Sequence, residues 1–217
     1  MAPTSAQERS INPGINRSYQ NPDVKHFVDR FEQAGRDVYD HRQAVVEACK
    51  IRPGMSVADI GAGTGLFTRM FSTLVGAQGK VYAVDIADKF VAHIERTAKQ
   101  AGLKNIIGVT CGQDSVRLPP GSVDLAFICD TYHHFEYPQK TMRSVHRALR
   151  PGGVLILIDF HRIEGASPKW ALEHVRAGQE VFTREIETIG FQRVEEKKDL
   201  LKHSYFVRFV RVAPSGN

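Results

Sequence analysis

An α/β fold built on a mostly parallel sheet is predicted by three observations. Strand-like apolar runs alternate with helical patterns along most of the chain, which calls for parallel strands joined by crossover helices. Residues 57 to 65 read V-A-D-I-G-A-G-T-G, a strand suited to burial on both faces that ends in an acid and opens into alternating glycines. A second apolar run, Lys80-Val81-Tyr82-Ala83-Val84-Asp85, ends in another acid about twenty residues past those glycines.

The elements follow in order. Asn21-Pro22-Asp23 supplies an N-cap, a first-turn proline and an acid near the positive helix end, and Phe27, Val28 and Phe31 form one apolar stripe after it. A second helix is predicted from near Arg36 to Cys49, with Val38, Val45 and Val46 inward, stopping before Arg52-Pro53-Gly54. Strands are then expected near 56 to 60, 80 to 85, 106 to 110 and 154 to 160. Helices are expected at 66 to 75, 88 to 101 and 138 to 149. Pro151-Gly152-Gly153 stop the last of these and start the strand at 154 to 160. Gln179 to Ile189 reads as a helix, the stretch 191 to 196 as a strand, and Ser204 to Val212 as a strongly β-favouring run.

The glycine loop on its own says only that backbone approaches a nucleotide-like ligand, because tight turns often carry two glycines. A dinucleotide fingerprint would place a glycine at position 66, where this chain has Leu66, and Asp59 has no role toward a pyrophosphate. Asp59 can instead accept hydrogen bonds near a cationic ligand. With these residues the chain resembles the class I S-adenosylmethionine-dependent methyltransferases, whose first motif is an acid followed by G-x-G-x-G. Two further stretches carry the resemblance: G-Q-D-S-V-R-L-P-P-G-S-V-D-L-A-F-I-C-D at 112 to 130, similar to the family's stretch from the third strand's end through the fourth strand, and L-R-P-G-G-V-L-I-L-I-D-F at 149 to 160, which would lead into the fifth.

The resemblance covers residues 50 to 165 most strongly and implies a Rossmann-like, seven-stranded, mostly parallel sheet sandwiched by helices. The last two strands would form its antiparallel end, and an N-terminal helical cap would fold over the cofactor. It implies that S-adenosylmethionine, leaving as S-adenosylhomocysteine, is held by Asp59, Gly61, Ala62, Gly63, Thr64, Asp85, Ile86, Gln113, Asp114 and Asp130. Asp85 would take the ribose hydroxyls, Ile86 the adenine face and Asp114 the adenine amino group, with Gln113 offering its backbone amide to the ring. The expected organisation is a flexible lead over 1–20 and one methyltransferase domain over 21–217, divided into a cap at 21–50 and a core at 51–217.

Methyl transfer from a sulfonium is an in-line displacement, so the protein mainly aligns two reactants and needs a base only for a protonated acceptor. Ligands of open parallel sheets bind beyond the strands' carboxyl ends. Asp130, Thr131, Tyr132, His133, His134 and Glu136 follow the fourth strand, and Asp159, Phe160 and His161 end the fifth. His133 or His134 is a candidate general base, Tyr132 a candidate for orienting substrate, and the alternative is a packed structural pair of imidazoles. Catechol-type enzymes bind magnesium with an acid after strand four and an Asp-Asn pair after strand five. Asp130 and Asp159 match those acids, but Phe160 replaces the asparagine, so a metal-free mechanism is expected. No N-P-P-Y type motif is present, which disfavours methylation of base amines. Tyr39, Arg42, His174 and Arg176 lie on segments able to border the substrate.

At 217 residues and 42% hydrophobic, one sizeable core can close. Cys49, Cys111 and Cys129 form no C-x-x-C pair or zinc spacing, which points to reduced thiols and away from a thiolate-bound metalloid substrate. The net charge of +5 is scattered, with Lys197-Lys198 and Arg208, Arg211 the nearest approach to a patch, so nucleic-acid binding is not expected. The Lys and Arg of the final strand are expected to face solvent. No apolar run spans a bilayer and no signal h-region is visible, which favours a cytoplasmic protein, with a removed export signal left open. The partner expected is a small-molecule acceptor with an O, S or N nucleophile, the chain acting as monomer or homodimer with at most weak surface association. The alternatives are a phospholipid-headgroup or other macromolecule-directed methyltransferase, and a catalytically silent cofactor-binding module.

Overall fold

A computed structural model describes residues 9–212. Among them lie seven strands: β1 (Ser56–Ile60), β2 (Lys80–Asp85), β3 (Ile106–Thr110), β4 (Val123–Cys129), β5 (Leu149–Phe160), β6 (Phe191–Lys197) and β7 (Ser204–Arg211). The helices are α1 (Val24–Phe31), α2 (Asp37–Asp40), α3 (Arg42–Cys49), α4 (Leu66–Val75), α5 (Asp88–Gln100), α6 (Pro138–Ala148), α7 (Lys169–His174) and α8 (Gln179–Glu187). One sheet takes the order β3-β2-β1-β4-β5-β7-β6. All pairs out to β5 are parallel, and β7 runs antiparallel to both β5 and β6.

This order places the site. The chain winds from β1 toward β3 on one side and from β4 toward β6 on the other, so a crevice opens beyond the carboxyl ends of β1 and β4. Register aligns those ends: Ile60 pairs with Val84 of β2 and with Ile128 of β4. β1 is buried along its whole length, as its V-A-D-I run requires of a central strand.

Helix α4 presents Phe67 and Phe71, one turn apart, to Phe127 of β4, with ring centroids at 4.9 and 5.0 Å. Phe71 is fully buried, and its truncation to alanine would cost about 3–5 kcal/mol. That packing fixes the entry of α4 and so the glycine loop before it. On the other side of the loop, Phe90, Val91, Ile94 and Ala98 give α5 a buried stripe at helical spacing.

Several expectations are corrected. The cap of α1 is Asp23, whose carboxylate accepts from the His26 amide, two residues later than expected. The helix expected from Arg36 to Cys49 breaks at His41 into α2 and α3. Helix α7 was not foreseen; its six residues are too few for a periodic signal. Residues 1–8 of the expected flexible lead lie outside the described residues, but 9–20 are tied down. Ser10 Oγ donates to Glu136 Oε2 at 2.7 Å, the Ile11 amide to Glu136 O, and Asn16 Nδ2 to His134 O at 3.0 Å. The arginines of β7 do not face solvent either. Arg208 is buried, donates to the Ala48 and Cys49 carbonyls that end α3 and pairs with Glu195, while Arg211 donates to Leu149 O.

Candidate functional site

At the end of β1 the chain must turn sharply and still leave room above the loop. Gly61 has φ +74°, and a Cβ there would lie 2.3 Å from Thr131 Cγ2, so only glycine fits between the β1 and β4 ends. Gly65 has φ +81°, and a Cβ would lie 2.7 Å from Ile94 Cγ1, which makes it the contact point between loop and α5. The loop is clamped to β2: the Gly61 and Ala62 amides donate to Val84 O, and the Gly63 amide donates to Asp85 Oδ2 at 2.9 Å. The Ala87 amide holds the other oxygen, Oδ1, also at 2.9 Å. Asp85 is therefore fixed by backbone on both sides while its remaining lone pairs stay available to hydroxyls.

Above the loop lies a cavity of about 1190 Å³, larger than a single drug-sized ligand needs. Three buried carboxylates line it: Asp59, Asp85 and Asp130. Burial pushes Asp59 up to about 7, against the Thr68 hydroxyl that donates to its Oδ2 at 2.5 Å. Burial likewise raises Asp85, opposed by the amides of Ala87, Gly63 and Ile86. It raises Asp130 too, opposed by Arg36, whose Nη2 lies 2.6 Å from Oδ2. Asp130 stands in the left-handed region at φ +48°, and its Oδ1 is buried without a protein partner. Such a set is under-compensated by protein cations, and a ligand bearing positive charge and hydroxyl donors would relieve it.

The opposite wall is made of imidazoles. A 3₁₀ turn, Tyr132–His134, follows β4. His133 is buried; its Nδ1 lies 2.7 Å from Asp159 Oδ1, and its amide donates to Oδ2 of the same carboxylate. Burial alone would lower the His133 pKa, but the Asp159 charge and hydrogen bond leave it raised. With Nδ1 engaged, Nε2 is the free nitrogen of that ring. His134 is brought down to about 2 by burial first and then by His133 and His174, so it is neutral. Its Nε2 lies 3.3 Å from Nε2 of His174, carried by α7. Phe160 and Trp170 meet edge to face at 4.9 Å beside them. Tyr19 roofs the other side, its ring 5.1 Å from His134 and 5.3 Å from Phe27.

This architecture has relatives. Residues 58–157 match the family model described as a methyltransferase domain. A SAM dependent methyltransferase from Aquifex aeolicus superposes with TM-score 0.76 over 88% of this chain and 100% of that one, at 25% identity.

Domain match, structural neighbour and curated relatives together support a class I S-adenosylmethionine-dependent methyltransferase.

The cofactor of this methyltransferase family is S-adenosylmethionine, as the glycine loop and its acids led one to expect. The ubiquinone/menaquinone biosynthesis C-methyltransferase UbiE of Shewanella sp. (strain W3-18-1) is 30% identical over 122 residues, 56% of this chain and 49% of that protein. The chain thus spans about half the length of the curated relatives it matches. The [4+2]-cyclase SpnF, at TM-score 0.69 and 15% identity over 84% of this chain and 86% of that one, shares the fold alone. Fold by itself therefore leaves the reaction to be argued from the site.

Of the methyltransferase residues expected to hold the cofactor, Asp59, Gly61, Ala62, Gly63, Thr64, Asp85, Ile86, Gln113 and Asp130 all line the cavity, as do His133 and His134. Asp114 does not: its side chain is exposed and its Oδ1 folds back toward Gly112. Nor does Tyr132, which is fully buried and donates its hydroxyl to Glu185 Oε2 at 3.0 Å. Glu185 in turn takes both guanidinium nitrogens of Arg176, so Tyr132 anchors α8 beneath the turn. The catechol-type acids are committed elsewhere, Asp130 to Arg36 and Asp159 to His133. Sequence reasoning missed Arg36 and Tyr19. Arg36 read as a helix start, and Tyr19 sat in the supposed lead, so no local pattern marked either as facing Asp130 or His134.

Proposed function

We propose that this chain transfers the methyl group of S-adenosylmethionine to a small protic acceptor bound between the glycine loop and the imidazole wall. The observation that carries the reading is one cavity bounded on one side by Asp59, Asp85 and Asp130 and on the other by the Asp159-held His133. Asp85 is the ribose-hydroxyl acceptor, and the Gly61–Gly65 loop gives the cofactor close backbone contact. Asp59 and Asp130 supply negative charge near the sulfonium and amino-acid portion. Charge complementarity favours the cofactor over its neutral-sulfur product, which assists release after transfer.

An acceptor hydroxyl or thiol is a poor nucleophile until its proton leaves. His133 Nε2 takes that proton: Asp159 fixes the ring and stabilises the imidazolium that forms. The cavity volume accommodates cofactor and small acceptor together, and the N-terminal segment through Tyr19 and α1–α2 closes over them as one domain with its cap. The Shewanella relatives are named C-methyltransferases, so a carbon nucleophile joins oxygen, sulfur and nitrogen among the acceptor atoms.

The test is a screen of thiol, phenol, quinol, amine and lipid-headgroup acceptors, reading S-adenosylhomocysteine release. Turnover on a small acceptor is expected. Turnover on lipid headgroups alone would replace this reading with a surface-directed one. Cofactor binding without release on any acceptor class would leave a silent binding module.

A further inference from the structure

Three imidazoles converge at one point of the cavity wall. One ring nitrogen each from His133, His134 and His174 lie within 4.8 Å of one another, and Nε2 of His134 and Nε2 of His174 stand 3.3 Å apart. Zinc bound tetrahedrally to imidazole at about 2.0–2.1 Å holds its ligand nitrogens about 3.3 Å apart. One edge of that tetrahedron is therefore already set. The other two edges are no longer than 4.8 Å, so closure of at most about 1.5 Å completes the triad, within reach of the exposed His174 on the short helix α7.

The first ligand is also oriented for the task. Metal-binding histidines commonly donate their other ring N–H to a carboxylate, and His133 Nδ1 is 2.7 Å from the buried Asp159. The three rings pack against one another at centroid distances of 4.3, 5.1 and 5.0 Å, so the cluster is continuous.

We infer that His133, His134 and His174 bind one zinc-type divalent ion, with the fourth position open to the methyl acceptor. The inference rests on the reading of this cavity as an S-adenosylmethionine site and assigns its acceptor class: a thiol or phenol that binds the ion as its anion. The acceptor proton passes to solvent as the metal–ligand bond forms. The acceptor's sulfur or oxygen lone pair then forms the new bond to the methyl carbon while the methyl–sulfonium bond breaks. That electron pair returns to sulfur, giving neutral S-adenosylhomocysteine. The methylated product, a thioether or ether, is a weaker ligand and leaves. With the ion seated, His133 serves as ligand, and ionisation on the metal replaces proton transfer to its ring.

The test uses the full chain stripped with EDTA. Titration with Co²⁺ is expected to give the intense visible absorption of a tetrahedral site at one equivalent, displaced by Zn²⁺. His174→Ala, at an exposed position, is expected to keep the wild-type melting temperature and lose at least about tenfold in Zn²⁺ affinity by calorimetry. His26→Ala, on the outside of α1, is expected to change nothing. Absence of the cobalt spectrum, or Zn²⁺ affinity unchanged in both His174→Ala and His134→Ala, would overturn the site. S-adenosylmethionine affinity measured on the same stripped protein separates the two ideas: retained cofactor binding without metal binding sinks the ion alone, and loss of both sinks the reading beneath it.

Discussion

Replacing Asp59 with asparagine should stabilise the cofactor-free protein at high pH while weakening its hold on S-adenosylmethionine. Asp59 is 3% exposed, and burial raises its carboxyl from 3.8 to about 7. A folded-state pKa above the unfolded one means that the native state binds the proton more tightly. The native state therefore loses stability as pH rises from 3.8 to about 7, and the cost is complete above that value. A rise from 3.8 to about 7 corresponds to at most about 4 kcal/mol at pH 8, and to about 2 kcal/mol at pH 5. Asparagine never ionises and can still accept from Thr68, but its buried amide leaves an N–H unpaired at about 1–3 kcal/mol. Asp59→Asn should thus gain about 1–3 kcal/mol over wild type at pH 8 and little or nothing at pH 5. Urea unfolding at the two pH values reads this directly. A variant less stable than wild type by the same amount at both would refute the electrostatic reasoning. Calorimetry should show S-adenosylmethionine affinity down about tenfold, the scale of one charge-assisted contact.

Gly61→Ala should lower stability by about 1–3 kcal/mol and abolish cofactor binding, since its Cβ would sit 2.3 Å from Thr131 at a φ disfavoured for L-residues. Thr131→Gly in the same chain should restore part of both, whereas no effect of the single change would show that the loop does not press on β4. In EDTA-treated protein the rate should rise with pH as His133 loses its proton, because the base must be neutral. Asp159→Asn should move that limb to lower pH, since Asp159 is what offsets the lowering by burial. An unmoved limb would exclude His133 as the base. The same pair should contribute stability below the unfolded histidine pKa and lose it as pH rises through the raised folded value, visible as a pH-dependent melting temperature.

The core of the fold was legible because parallel strands buried on both faces leave a strong apolar signature. The ranges expected for β1, β2, β3 and α4 match those observed. The glycine loop was legible for the same reason: Gly61 and Gly65 answer steric demands that almost no other residue meets. What stayed hidden depends on contacts distant in sequence. Arg36 reaches Asp130 across 94 residues, and Ser10 reaches Glu136 across 126. No periodicity reports such pairings. Tyr132 lies off the cavity although its neighbours face it, because a 3₁₀ turn points successive side chains to different sides. Asp114 stands outside the cavity lining because motif spacing fixes its backbone position and not the direction of its side chain.

Cofactor binding depends most directly on Asp85, held by the Gly63 and Ala87 amides at the end of β2. Titration calorimetry of S-adenosylmethionine into the wild-type chain and into Asp85→Ala tests it, with folding checked by circular dichroism. Stoichiometric binding by wild type and a loss of about 30-fold or more in the variant are predicted, on the scale of about 2 kcal/mol for hydrogen bonds to a charged group. A wild-type chain that does not bind the cofactor would exclude the cavity as its site, and a folded Asp85→Ala that binds it equally well would exclude Asp85 as the ribose anchor.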